Sequence, residues 1–469
     1  MVKHATLPRN EAGIETATAV LKQQFGERLQ TGTSICEQHG HTTTWIENQP
    51  PDAVVFAHST EEVSQIVKTC AHHGVPVIAY GTGTSLEGHL NAPAGGICID
   101  LGQMNRVLEV NSGDLDCRVQ PGVTREDLNT HLRDQGLFFP IDPGANASLG
   151  GMAATNASGT NAVLYGTMKD NVLGVEAVMA DGRVIRTGTR ARKSSAGYDM
   201  TRLLVGSEGT LCIITEITLR LRGIPEAISS ARCSFPSLDA ASLTVQSVIQ
   251  YGLPVSRIEL LDEVMVKASN AYSKLDLPET PLLLLEFHGT EASVVEQAEI
   301  FGALAQEHGG TGFEATTTTE ERNQLWKARH DAYWAMLAYR PGAKGVATDV
   351  CVPISRLAEC VGAAKARADE LGLIAPVVGH AGDGNFHVSP LIDMDNAEEV
   401  AKAAEYISWL NDLAISMEGT CTGEHGIGQG KMRYLRHELG DATDFMADIK
   451  RALDPKGIFN PGKIFASDA

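Results

Sequence analysis

Between Ala53 and about Arg222, short apolar runs set off by glycine-rich turns alternate with stretches whose apolar residues recur three and four positions apart. "AVVFAHS" predicts a strand. "TEEVSQIVKTCAHHG" predicts a helix ending at Gly74, where glycine accepts the left-handed conformation that closes a helix. "VPVIAYGTGTS" reads as a strand entering a loop, "GGICIDLGQM" as another strand, and "TLCIITEITLRLR" as a long one. "GVEAVMADGRVIRTG" predicts a hairpin about Asp181-Gly182. Pro225 marks a boundary. From about 226 to 415, "CSFPSLDAASLTVQSVIQYG", "RIELLDEVMVKASNAY", "PLLLLEFHG" and "VVEQAEIFGALAQEHG" alternate strand and helix. That alternation predicts an antiparallel sheet covered by helices, an α+β arrangement. Ahead of Pro50-Pro51, "ETATAVLKQQFGERL" predicts a helical segment over 1–47. The tail from about 416 holds the helix "ATDFMADIKRALDP" and ends in "KGIFNPGKIF".

Composition narrows the class. A chain of 469 residues has the length of about three domains. Hydrophobic residues at 43% and charged residues at 20% are the balance of an ordinary globular protein. Lysine and arginine number 38 against 58 acidic residues. The net charge of −20 argues against nucleic acid and against adhesion to anionic lipid by charge, and it is compatible with a basic protein partner. Nine scattered cysteines without a CxxC pair argue against iron–sulfur clusters and zinc ribbons, and for buried thiols in a reducing compartment. "MVKHATLPRNEAGIETATAV" lacks the apolar core of a secretion signal and carries Glu11 and Glu15, which a mitochondrial presequence avoids. No run approaches the ~20 apolar residues of a membrane span. The expected location is cytoplasmic, at most peripheral at the inner membrane, and a homodimer is among the compatible states.

Three glycine-rich stretches carry candidate chemistry. "YGTGTSLEG", residues 80–88, follows a strand, yet its spacing is neither the GxGxxG dinucleotide fingerprint nor a GK[ST] phosphate loop. Its small residues still suit backbone N–H groups wrapping a diphosphate; a plain surface turn is the alternative. Residues 139–174, "FPIDPGANASLGGMAATNASGTNAVLYGTMKDNVLG", are so rich in Gly, Ala, Asn and Ser that they imply close backbone approach to something flat or phosphorylated. "VGSEGTLCIIT", 205–215, is a third such loop. Together they favour a large nucleotide cofactor.

A second constellation lies in "VVGHAGDGNFHVSP", residues 377–390. Asp383-Gly384 suits a two-residue hairpin loop, and that register sets His380 opposite His387 with Cβ atoms ~4.5–5.5 Å apart. Two imidazoles on one face make a pincer for a divalent ion; two partly buried histidines bonded to backbone are the alternative. "GTCTGEHGIGQG" sets Glu424 beside His425, which supplies a carboxylate for a site of Zn²⁺ or Mn²⁺ type, or a solvated Glu-His pair. Arg329, on a helix one turn before Tyr333, and Lys344 are candidate partners for a substrate carboxylate, or surface cations. Trp326 reads as packing.

"GTGTSLEG", "PGVTREDLNTHLRDQGL", "GMAATNASGTNAVLYGTMKDNVL", "RIELLDEVM", "LWKARHDAYWAMLAYRPGAKGVATDVCVPISRL", "VGHAGDGNFH", "GTCTGEHGIGQGK" and "NPGKI" together resemble the vanillyl-alcohol oxidase/p-cresol methylhydroxylase superfamily of FAD enzymes. The C-terminal half is similar to FAD-dependent D-lactate dehydrogenases of the mitochondrial, cytochrome-linked type, and the resemblance covers nearly everything after residue 45. It implies an α+β fold with a bipartite FAD domain, 48–225 plus the 416–469 segment, and a cap domain over 226–415 that roofs the substrate. Gly81, Thr82, Gly83, Thr84 and Ser85 would bind the pyrophosphate. Pro143, Gly144, Ser148, Gly151, Ala154, Asn156 and Gly159 would line the flavin and its ribityl chain. Ile213 and Ile214 fall where the family contacts the adenosine, and Asn460 where it approaches the isoalloxazine. Tyr80, Leu164 and Lys169 replace arginines of related sequences, and Cys212 replaces a glycine; these bear on local polar contacts. No histidine stands where some relatives attach flavin, so the FAD is expected to be non-covalent.

The resemblance further implies His380, His387 and Glu424 as metal ligands and His425 as general base. Arg329, Tyr333, Lys344 and Ser389 would contact substrate. A D-2-hydroxy acid would lose its hydroxyl proton to His425 and its α-hydrogen to the flavin, whose electrons would pass to a cytochrome, quinone or electron-transfer flavoprotein. Dehydrogenases for D-2-hydroxyglutarate often carry Asn where this chain has Ser389. The smaller side chain favours D-lactate, with D-2-hydroxyglutarate or glycolate as alternatives.

Overall fold

The computed structural model describes residues 6–465. The chain forms two compact units. The first runs through Ser158, resumes over Gly166–Ile224 and takes up the chain again from Glu424; the second comprises Gly159–Tyr165 and Pro225–Gly423.

In the first unit, Ala53–Phe56, Ile97–Asp100 and Val77–Tyr80 pair in parallel, and Leu29–Gln30 adds antiparallel to the outer edge of Ala53–Phe56. Parallel strands are covered on both faces, which is why these read as almost continuous apolar runs. The helix Thr60–His73 starts where Ser59 Oγ accepts from Glu62 N–H and ends at Gly74 in the left-handed region, φ +62°. The helix Glu11–Phe25 places Ile14, Ala17, Leu21 and Phe25 in the same core as Val63, Ile66, Val67 and Cys70. A second sheet is antiparallel, in the order Val107–Asn111, Asp116–Val119, Ile213–Arg220, Val172–Val178, Val184–Arg186. Its Asp181-Gly182 hairpin closes with Met179 N–H donating to Arg183 O and with Gly182 at φ +80°. All nine cysteines are free thiols, and only Cys351 is more than marginally exposed.

The second unit is built on seven strands in the order Thr311–Thr316, Ala227–Ser234, Leu282–Gly289, Val255–Leu261, Val377–His380, Asn385–Val388, Val350–Cys351. Every neighbouring pair is antiparallel. Helices Leu238–Tyr251, Glu263–Ser273 and Glu291–Glu307 belong to this unit, each with a side-chain N-cap. The strand Val255–Leu261 is central, and its buried Glu259 is opposite His380 in the pairing.

One cap carries a pH consequence. Asp262 Oδ1 accepts from Met265 N–H, while Oδ2 is buried without a hydrogen-bond partner. Burial pushes the carboxyl up to about 7. Between the ordinary carboxyl range and about 7 the folded state therefore keeps a proton that the unfolded chain has lost. Stability falls as pH rises through that window, by on the order of a few kcal/mol, and is level above it. Asp262→Asn is neutral throughout, so it should gain on the native protein as pH rises from 4 to 8. Paired thermal melts check this; a constant difference in Tm across the series contradicts it.

Candidate functional site

The first glycine-rich loop leaves the strand Val77–Tyr80 and meets the N-terminus of the helix Leu149–Thr155. Ser148 N–H donates to Thr82 Oγ1 at 3.2 Å. A Cβ at Gly81 would collide with Ser148 Oγ, and one at Gly83, φ +71°, with the Tyr80 ring, so both positions need glycine. The hydroxyls of Ser85 and Ser148 are buried without a hydrogen-bond partner. A loop with two buried, unsatisfied hydroxyls beside a helix N-terminus fits the diphosphate of FAD.

The remaining expected cofactor residues distribute as follows. Pro143 and Ser148 are shielded and Gly144 is exposed, all ahead of the helix; Gly151 and Ala154 lie within it, and Asn156 closes it at φ +52°. Thr82 and Thr84 are exposed. Gly159 falls in the second unit. Ile213 and Ile214 begin the strand Ile213–Arg220 with side chains buried in the two separate cores of the first unit. Asn460 is buried at φ +40°; its Nδ2 donates to His89 O at 3.1 Å and Glu208 O at 2.9 Å, and its Oδ1 has no hydrogen-bond partner.

The two histidines sit on adjacent strands of the second unit, but the register differs from the expected one. His387 is opposite Val378, Val377 is opposite Val388, and His380 pairs across to Glu259 instead. The connection is longer than Asp383-Gly384: Ala381–Asp383 form a 3₁₀ turn closed by Gly384 at φ +76°. A Cβ at Gly384 would collide with Val352 O, so the turn needs glycine where it meets the backbone just after the strand Val350–Cys351. The shift is by two residues, which preserves the face. His380 and His387 become diagonal neighbours, ring centroids 5.6 Å apart and nearly perpendicular.

Each ring is tied through Nδ1. His387 Nδ1 is 2.8 Å from Thr348 O, and a carbonyl only accepts, so this nitrogen carries the proton. His380 Nδ1 is 2.7 Å from Glu259 Oε1. Burial raises the Glu259 carboxyl, but His380 and Arg329 outweigh it and hold it below the ordinary carboxylate range, as an ionised acceptor. With Nδ1 engaged on both rings, Nε2 is the nitrogen each could offer a cation, and carboxylate–histidine pairs of this kind orient metal ligands. The donor set fits a divalent cation.

Glu259 is fully buried and also holds Arg329, Nε to Oε2 at 2.5 Å. Arg329 lies on the helix Thr319–His330, and Tyr333 belongs to the next one, Ala332–Tyr339. The expected single helix is broken at Asp331, whose carboxylate accepts from Ser273 Oγ at 2.7 Å. Tyr333 is partly exposed, with its ring 5.2 Å from Trp334. Trp326 packs as read: it is buried, Nε1–H donates to Ser230 Oγ, and the Arg257 guanidinium lies 4.8 Å over the ring. Burial pushes the Lys344 ammonium down. Ser389 is buried, and its N–H donates to Pro376 O. Glu424 and His425 open the last segment of the first unit, with His425 Nε2 3.9 Å from Glu424 Oε1. Glu259 and Thr348 escaped the sequence reading. An acidic residue inside the apolar strand "RIELL" is the signal that marks the first; a backbone carbonyl leaves none.

Residues 224–464 match the family model "FAD linked oxidases, C-terminal domain", and residues 51–188 match "FAD binding domain". The chain is 48% identical over 458 residues to a probable mitochondrial D-lactate dehydrogenase of Danio rerio, covering 97% of this chain and 92% of that protein. It is 49% identical over 416 residues to the mitochondrial D-lactate dehydrogenase [cytochrome] of Arabidopsis thaliana, covering 88% and 73%. The structure of p-cresol methylhydroxylase with substrate bound superposes with a TM-score of 0.81 at 18% identity, covering 99% of this chain and all of that one. The expected cytoplasmic location is overturned by these relatives, which are mitochondrial by name. Glu11 and Glu15 lie in the folded helix Glu11–Phe25, so their charge reports on that helix and not on targeting; residues 1–5 are outside the described range. No helix among the described residues is long and apolar enough to cross a membrane. With both family models matched in order and relatives this similar over most of the chain, the protein belongs to the FAD-linked oxidases and is a flavin-dependent oxidoreductase.

Proposed function

We propose that the protein oxidises D-lactate and similar small D-2-hydroxy acids to the 2-oxo acids, with a divalent cation at the reacting carbon and a cytochrome- or quinone-type acceptor taking the electrons. The observation that carries this reading is the pair of imidazoles tied through Nδ1, one of them by the carboxylate that also holds Arg329. The relatives named as D-lactate dehydrogenases support the substrate.

Bound FAD supplies the two-electron acceptor, and the cation supplies Lewis acidity at the substrate hydroxyl. His380 and His387 would hold the cation, with Glu424 as the third protein ligand. Arg329 contacts Glu259 through Nε, so its terminal NH₂ groups are the ones that meet a substrate carboxylate. Lys344 adds a second positive charge for that carboxylate. His425 accepts the hydroxyl proton as general base. Ser389 is buried and shorter than the Asn that D-2-hydroxyglutarate dehydrogenases often carry there, so it reaches less far toward a second carboxylate, which favours monocarboxylates over D-2-hydroxyglutarate.

The test is an anaerobic panel of D- and L-2-hydroxy acids read by bleaching of the flavin absorbance. D-lactate should bleach it fastest, D-2-hydroxyglutarate more slowly, and L-lactate not at all. Faster bleaching by the dicarboxylate reassigns the substrate; no bleaching by any member sinks the reading.

A further inference from the structure

The loop that follows Glu424 is fastened by an acidic residue some 220 positions earlier. Glu208 Oε1 accepts from Ile427 N–H at 2.7 Å and Oε2 from Gly428 N–H at 2.8 Å, with His89 Nε2 3.0 Å from Oε2. Two successive N–H groups converging on one anion, flanked by Gly426 at φ +82° and Gly428 at φ +48°, form a backbone nest. The chain's own carboxylate fills it. A Cβ at Gly426 would stand 2.7 Å from Glu208 Oε1 and 2.9 Å from His89 Nε2, so glycine is needed for the carboxylate to enter. The loop is held beyond this point too: Gln429 N–H donates to Glu87 O at 2.7 Å, and Ile464 N–H to Gly428 O at 3.0 Å.

Glu208 is itself held in an uncommon conformation. It is buried at φ +54°, a region that disfavours side chains other than glycine and that recurs at functional sites. Its N–H donates to Ala154 O at 2.8 Å, and its carbonyl accepts from Asn460 Nδ2 at 2.9 Å. One residue thus joins the alanine-rich helix, Asn460 and the Glu424–Gly428 loop. A buried carboxylate is costly unless its acceptor positions are filled. Two main-chain donors of the loop fill acceptor positions, and the His89 ring stands at ion-pair distance from the same carboxylate.

We propose that Glu208 is the positioning residue of this loop, fixing the backbone that carries Glu424 and His425. Its carboxylate takes the place that a bound anion occupies in other nests, so the loop is set before substrate arrives. The proposal rests on the reading of His425 as base, since the loop's position matters to turnover only through that residue.

The experiment uses the FAD-loaded full chain and its Glu208→Gln variant. Glutamine keeps the shape but turns an NH₂ toward one of the two N–H donors. Amide hydrogen exchange over residues 424–431 should accelerate by about 10-fold or more. kcat for D-lactate should fall by about 10–100-fold, with KM and the flavin absorbance retained. A purely structural role would lower flavin content and Tm without separating kcat from KM. Unchanged exchange over 424–431, or faster exchange with native kcat, overturns the proposal. Should Glu208→Gln fail to fold with flavin, His89→Gln decides: faster loop exchange and a lower kcat support it, and native values of either overturn it. The exchange measurement needs no substrate, so it stays readable if the substrate assignment fails in the native protein.

Discussion

Alanine at His425 is expected to lower kcat by about 10²–10⁴-fold, the range for loss of a general base, while the protein stays yellow. The hydroxyl proton of a 2-hydroxy acid has to leave as the α-hydrogen is transferred, and an imidazole with a near-neutral pKa is suited to take it. His425 is mostly shielded, and its neighbour Glu424 lies 3.9 Å away at the nearest ring nitrogen, an ion-pair distance and not a tight bond. Stopped-flow reduction of the flavin by D-lactate separates the chemical step from reoxidation. A variant that reduces at the native rate removes the base assignment, and one that loses flavin on purification shows His425 to be a packing residue.

The second large effect is expected at Glu259. Glu259→Gln should weaken divalent-cation binding by 10–100-fold, as loss of a partner behind a ligating histidine does, and should raise KM for the hydroxy acid. Glu259 is fully buried and accepts from two donors, His380 Nδ1–H and Arg329 Nε–H. Glutamine keeps a carbonyl oxygen for one of them but turns an NH₂ toward the other, and it removes the negative charge that both partners face. The glutamine variant is preferable to alanine, because stripping one partner from a buried ion pair costs about 3–5 kcal/mol of stability. Titration of chelator-treated protein with Zn²⁺ or Mn²⁺ gives the affinity, and steady-state kinetics gives KM. Native affinity with raised KM would confine Glu259 to the arginine side. Native values of both would mean that the ion pair is only structural.

Local sequence determined the elements. The helix Thr60–His73 with its Gly74 stop, the strands Val77–Tyr80 and Ile97–Asp100, the Asp181-Gly182 hairpin and the helix Ala442–Leu453 follow from periodicity and turn chemistry that act over a few residues. The motifs that place the chain among FAD-linked oxidases are also local: small residues in runs, and histidines set among glycines. The pairing of those elements was not local. His380 and His387 kept a common face because the true register differs from the expected one by an even number, and nothing in "HAGDGNFH" says that a 3₁₀ turn replaces a two-residue loop. The turn packs against Val352, whose N–H donates to Gly384 O and whose carbonyl leaves no room for a Cβ at Gly384. Tertiary structure alone brought Glu259 to His380 across 121 residues, and Glu208 to Ile427 across 219. A buried carboxylate is stable only where distant donors converge on it, and which donors converge is decided by how whole sheets and loops pack.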